Sequence, residues 1–76
     1  MSGEIEISVI IPVFNEEDNI LPMYERLLAA LEEHVSALEI IYVDDGSQDG
    51  SWPRIRKLAK EDPRVRGLSF ARNFGH

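Results

Sequence analysis

Three short stretches of this 76-residue chain carry side chains suited to ligand chemistry: Pro12-Val13-Phe14-Asn15-Glu16, Asp44-Asp45-Gly46-Ser47 and Ala71-Arg72-Asn73-Phe74-Gly75-His76. Together they supply a flat apolar ring, several carboxylates and an arginine. That set suits a nucleoside better than a bare phosphate, because Phe14 can lie against a base while a carboxylate accepts hydrogen bonds from a ring N–H or from ribose hydroxyls. A phosphate alone would be repelled by the acids. A plainer role is equally open to Asp44, Asp45 and Asp49, since aspartates in such places commonly cap turns and helix starts.

Sharper signatures are missing. Neither G-x-x-x-x-G-K-[ST] nor G-x-G-x-x-G occurs, which removes the P-loop and the dinucleotide fingerprint. Asp44-Asp45-Gly46-Ser47 is similar to the D-x-D-G-[ST] nucleophile loop of haloacid-type phosphatases, yet Val43 stands where the nucleophile would be. Neighbouring strand residues point to opposite faces, so Asp44 and Asp45 are badly placed to chelate one metal together. Glu4 and Glu6 share a face at the wrong end of their strand. His34 closes a helix, where the dipole favours it, and nothing gives His76 a catalytic role. No catalytic residue and no metal ligand is assigned within the chain.

The elements that must position these stretches follow from periodicity. Ile5 to Ile11 begins as an alternation and ends as a continuous β-branched run, the pattern of a strand entering a buried sheet, with Pro12 as its stop. Leu38 to Val43 reads as a second such strand, halted by the turn chemistry of Asp44-Asp45-Gly46-Ser47. Between them Ile20, Tyr24, Leu27, Leu28, Leu31 and Val35 recur at spacings of three and four, one face of a helix that begins near Asp18 or Asn19 because Pro22 fits only a first turn. A second helix takes Ser51 as cap and Pro53 in its first turn, and stops at Asp62-Pro63. Val65 to Phe70 is a third strand, interrupted by Gly67. The order β-α-β-α-β implies an α/β fold with parallel crossovers, and the three polar stretches then meet outside the carboxyl ends of the strands, where such sheets bind ligands.

Right-handed crossovers run in one direction place both helices on one face of the sheet. The other face is left bare, although parallel sheets are normally covered on both sides and both of the first two strands are apolar on both faces. The expectation is an incomplete domain that associates with itself through the uncovered face and an open strand edge.

Composition sets the outer bounds. A chain this short buries only about 60% of the surface its unfolded form exposes, so its stability is expected to be marginal. Hydrophobic residues make up 43% and charged residues 29%, as in soluble globular chains. No apolar run comes near the roughly 20 residues that span a bilayer, and no basic segment precedes the run that begins at Val9 as in a signal peptide, so the cytoplasm is the expected compartment. There is no cysteine and hence no disulfide or zinc-thiolate framework. The net charge of −6 hides an asymmetry: residues 1–50 carry twelve acids against Arg26 alone, and residues 51–76 carry seven bases against Glu61 and Asp62. A basic segment from Arg54 to Arg72 could touch phosphates or an anionic membrane, though such runs are commonly a solvated face. Nucleic acid is not an expected partner of so acidic a chain.

Ile10 to Glu17, Tyr42 to Ser51 and Ala71 to His76 resemble, in order and spacing, the opening of family 2 glycosyltransferases of the GT-A fold, a Rossmann-like architecture. The nearest likeness is to the polyprenyl-phosphate branch, which includes dolichol-phosphate mannose synthases and undecaprenyl-phosphate sugar transferases, and it covers nearly the whole chain. The resemblance implies that residues 1–76 are the amino-terminal nucleotide-binding part of a transferase domain. Pro12, Phe14 and Glu16 would line base and ribose, Val43 and Asp45 the base, Asp44 would support the turn, and Arg72 would lie on the nucleotide or diphosphate side. Phe14 stands where tyrosine is common and Gln48 where threonine is usual. The family's D-x-D motif, which binds Mg²⁺ or Mn²⁺ on the diphosphate, would lie beyond His76 together with the acceptor side.

The implied parent reaction moves a hexose from a UDP- or GDP-linked donor to a polyprenyl phosphate at the cytoplasmic face of a membrane, and this chain alone would not catalyse it. The alternatives are a family 2 transferase that elongates a glycan and a non-catalytic nucleotide-binding or interaction module. A receiver-like phosphoacceptor domain ranks last, since there the paired acids follow the first strand.

Overall fold

The computed structural model describes residues 6–70. Strand β1 (Glu6–Val13) leads through a 3-10 turn (Glu17–Asn19) into helix α1 (Ile20–Leu31), followed by β2 (Ala37–Asp44), α2 (Ser51–Glu61) and β3 (Val65–Ser69). The strands form one parallel sheet in the order β1-β2-β3. The expected α/β class and the β-α-β-α-β order are therefore observed.

Strand alternation sorts the sheet into two faces. Val13, Leu38, Ile40, Tyr42 and Val65 lie on one face and form the core with Ile20, Ile55 and Leu58 from the helices. The apolar side of α1 read from the sequence packs here as well: Tyr24, Leu27, Leu28 and Leu31 line the same core, and so does Val35, although α1 itself ends at Leu31. Tyr42 is fully buried and its hydroxyl donates to the Ile20 carbonyl at 3.0 Å, which ties β2 to the first residue of α1. Burial pushes the Tyr42 phenol up to about 12.

The opposite face is covered by no described element. Its upper half, toward the carboxyl ends of the strands, is apolar, with Ile10 65%, Leu68 49% and Phe70 49% exposed. Its lower half is polar: Ser8 donates to Glu39 at 3.0 Å and Arg66 pairs with Glu39 at 3.2 Å. The expectation that both strands carry apolar residues on both faces is observed, with the apolar part of the open face confined to its upper half.

Three local expectations are also corrected. Pro12 does not end β1, which runs on to Val13. The Val13 carbonyl accepts from Asp45 N–H on the β2 side, so by alternation the missing N–H of Pro12 faces the outer edge, where the ladder loses nothing. Ser51 is the first residue of α2 and not its side-chain cap. Gly67 continues β3 because α2 lies so close: a Cβ there would come within 2.6 Å of Ile55 Cγ2.

At the lower end of the helical layer, Asp62 gathers α1, α2 and β3. Its carboxylate accepts from Tyr24 Oη at 2.6 Å and from Arg64 Nη2 at 2.9 Å, and Arg64 also reaches Glu32 at 3.5 Å. The Arg64 guanidinium holds the Asp62 carboxyl well below the usual carboxylate range, and the hydrogen bond to Asp62 raises the Tyr24 phenol.

Candidate functional site

At the upper end the loops after β1 and β2 are stitched together. Asn15 has a φ of 51°, a left-handed conformation that asparagine tolerates better than most residues, and it turns the next amides toward the neighbouring loop. Three consecutive N–H groups then donate to side chains some thirty residues away. Asn15 N reaches Ser47 Oγ at 2.8 Å, Glu16 N reaches Ser51 Oγ at 2.8 Å and Glu17 N reaches Asp49 Oδ2 at 3.2 Å. The favour is returned by side chains of the first loop, with Asn15 Oδ1 accepting from Gln48 N at 2.8 Å and Glu17 Oε1 from Gly50 N at 2.6 Å. Ser51 N–H donates to Asp49 Oδ1 at 2.9 Å, and hydrogen bonding by Ser51 holds the Asp49 carboxyl below the usual carboxylate range.

The second loop turns on Gly46, whose φ of 86° suits a residue without a Cβ. Beneath it Asp44 is fully buried on the helix-covered face, and its Oδ1 accepts from Ser47 N at 3.3 Å. Its other oxygen and the hydroxyl of Ser69, its register neighbour on β3, are buried without a hydrogen-bond partner among the described residues.

Of the residues singled out from the sequence, four come together on the open face and the others do not. Pro12 and Val43 are register neighbours on the open face, and Phe14 and Asp45 stand two residues further on, just past the ends of the same two strands. Phe14 is 58% exposed. Asp45 is exposed, and while its N–H donates to Val13 O at 3.0 Å, its carboxylate makes no hydrogen bond or ion pair among the described residues. Asp44 lies under the turn, away from this group. Glu16 turns toward α1, where its carboxylate accepts from Asn19 Nδ2 at 2.6 Å and lines a cleft of about 370 Å³ with Pro12, Tyr42 and Arg26 along the outer edge of β1. Arg72 falls outside the described residues.

Sequence reading missed the locking roles of Asn15, Glu17, Ser47 and Ser51; the capping role left open for Asp49 is met by its bond from Ser51 N–H at the start of α2, and its second oxygen also accepts from Glu17 N. The available signal was the run Ser47, Asp49, Ser51, three side-chain acceptors within five residues.

Among the described residues, the N–H groups of Asn15, Glu16, Glu17, Gln48, Gly50 and Ser51 are thus engaged internally, while the Asp45 carboxylate stays exposed. Arg54, a base beside the loops, pairs with Glu17 at 3.5 Å. Such a rim fits a ligand that brings a flat face and N–H or O–H donors. It does not fit a metal: no group of three or more His, Cys, Asp or Glu side chains converges among the described residues, and Asp44 and Asp45 lie on opposite sides of their strand.

Residues 8–76 match the family described as Glycosyl transferase family 2. Over all 76 residues the chain is 41% identical to the uncharacterized glycosyltransferase YkcC of Bacillus subtilis (strain 168), covering 24% of that protein. It is 44% identical over 72 residues, 93% of the chain, to 23% of a prophage bactoprenol glucosyl transferase homolog of Escherichia coli (strain K12). It is 39% identical over 72 residues, again 93% of the chain, to 21% of the dodecaprenyl-phosphate galacturonate synthase of Rhizobium johnstonii. The chain spans about a quarter of the length of these curated relatives. With a family match over nearly its whole length, the chain belongs to glycosyl transferase family 2.

Proposed function

We propose that the chain is the nucleotide-binding part of a glycosyltransferase that moves a hexose from a UDP- or GDP-linked donor to a polyprenyl phosphate at the cytoplasmic face of a membrane. The observation that carries this reading is the pairing of an exposed aromatic ring, Phe14, with an unengaged carboxylate, Asp45, at the ends of adjacent strands. Phe14 packs against the base, Asp45 accepts from a ring N–H or ribose hydroxyl, and Pro12 and Val43 form the apolar floor. Asp44 acts from below by holding the turn. Glu16 and Arg72 complete the ribose and diphosphate sides. The names of the relatives, a bactoprenol glucosyl transferase homolog and a dodecaprenyl-phosphate galacturonate synthase, support a polyprenyl phosphate as acceptor.

A divalent cation, Mg²⁺ or Mn²⁺, would offset the charge of the departing nucleoside diphosphate, with ligands from outside the described residues. What the described residues contribute is donor binding and orientation. Asp45→Ala is expected to weaken binding of a nucleoside diphosphate by about 1.5 to 3 kcal/mol, the range for a hydrogen bond to a charged group. Calorimetry measures this directly, and unchanged affinity would reduce Asp45 to a turn residue.

A further inference from the structure

The amino end of α2 points into the rim, where a helix would ordinarily offer unsatisfied N–H groups and a positive dipole end to a ligand anion. Here the protein fills that place with its own carboxylates. Glu17 Oε1 accepts from Gly50 N at 2.6 Å, and Asp49 Oδ1 accepts from Ser51 N at 2.9 Å. The second oxygen of Glu17 lies 3.5 Å from Arg54 Nη2, so the base within reach is neutralised by the same group. The fit is close, since a Cβ on Gly50 would stand 3.2 Å from Glu17 Oε1. The backbone of Glu17 is held too: its N–H donates to Asp49 and its carbonyl accepts from Arg54 Nη1 at 3.4 Å.

We propose that Glu17 is a positioning residue, an internal anion that occupies the amino end of α2, keeps ligand phosphate off it, and fixes the spacing of the two loops. A phosphate brought to Gly50 would meet the carboxylates of Glu17 and Asp49 at contact range. The phosphates of a bound nucleotide are therefore turned away from α2, opposite to the arrangement in which a glycine-rich loop delivers a phosphate to a helix start. The phosphate arm of this inference stands without the nucleotide reading; the loop-spacing arm rests on it.

The test is a titration of the ¹⁵N-labelled 76-residue chain with inorganic phosphate, following the Gly50 and Ser51 amides. The wild type should show no saturable shift at these amides. Glu17→Ala uncovers Gly50 N–H and frees Arg54, and should gain phosphate affinity by about tenfold or more at that place, as expected when an anion joins a helix amino end and a free guanidinium. A purely structural role for Glu17 would give no such gain. Glu17→Gln keeps an acceptor for Gly50 but releases Arg54, so it should show a smaller gain, and it carries the test alone if the alanine variant does not fold. Wild-type phosphate binding at Gly50 equal to that of the variants, or folded variants with no new response, overturns the proposal. A parallel titration with uridine and guanosine reads loop spacing: affinity should fall in Glu17→Ala and recover largely in Glu17→Gln. Loss in neither variant removes the spacing role, and absence of nucleoside binding in the wild type counts against both the spacing role and the proposed function, while the phosphate result is read independently.

Discussion

The two faces of one sheet meet different surroundings, and the difference explains what this chain can do alone. On the covered face Ile40 and Tyr42 have no exposed surface, whereas on the open face Ile10 keeps 65% of its surface in contact with solvent. The same β-branched residue type therefore contributes fully to stability on one side of β1 and β2 and almost nothing on the other. The open face is also graded. Polar pairs around Glu39 suit its lower half to water, while the apolar upper half runs directly into Phe14 and Asp45 at the rim. The bare apolar surface and the candidate site thus share one end of the molecule.

The largest expected effect contrasts the faces directly. Ile40→Ala should destabilise by about 3 to 4 kcal/mol in urea unfolding, because it removes buried methyls and leaves a cavity. Ile10→Ala should stay within about 0.5 kcal/mol, as for an exposed position. Equal costs would mean that the open face is covered in solution, and a concentration-dependent cost for Ile10→Ala would identify a second copy as the cover.

Next in size is the lock beneath the covered face. Asp62→Ala removes the acceptor for Tyr24 and Arg64 and should cost about 2 to 3 kcal/mol. The sign with pH follows from the depressed carboxyl: the folded state holds the proton less tightly than the unfolded chain, so this stabilisation is complete above the ordinary aspartate value of 3.8 and is lost as pH falls below it. Acid titration of the wild type against the variant measures it, and an identical acid transition in both would assign the transition to other carboxylates.

Gly67→Ala should cost about 1 to 2 kcal/mol, because the added methyl meets Ile55 across a packed contact. Leu68→Ala, one residue on but facing the open side, should change stability by less than about 0.5 kcal/mol. Thermal melts of the pair separate close packing from strand propensity, since propensity alone would make Gly67→Ala stabilising.

The smallest effect on stability and the clearest on assembly is expected from Leu68→Asp. The wild type should associate at micromolar concentration through its apolar upper face and an open edge, and a charge placed there should suppress light scattering while leaving the monomer folded. A wild type that is monomeric with a melting temperature independent of concentration would remove the link between the open face and association.

Much of this organisation was legible beforehand for local reasons. The apolar alternation of β1 and β2, the three-and-four spacing from Ile20 to Leu31 and the Asp62-Pro63 stop each lie within consecutive residues, and each element formed within a few positions of where those signals put it. Asp44 and Asp45 could be assigned to opposite faces from alternation alone. Pro12 misled because a proline reads as a strand breaker unless it is known that its nitrogen faces an edge, and edge position belongs to the sheet. Gly67 misled in the same way, since its reason is the approach of α2.

What the sequence by itself determined, then, was the class of each element, the α/β order and the family motif, because backbone propensity and side-chain period act between near neighbours. Only the tertiary structure decided which amide meets which acceptor. The hydrogen bonds from Asn15, Glu16 and Glu17 span 32 to 35 residues, and they exist because parallel register sets Val13 beside Asp44 and brings the two loops to one height. A shift of one residue in that register would move every partner to the opposite face. The residues that lock the rim were therefore visible in the sequence as polar side chains, but their partners were settled by the pairing of strands far apart in the chain.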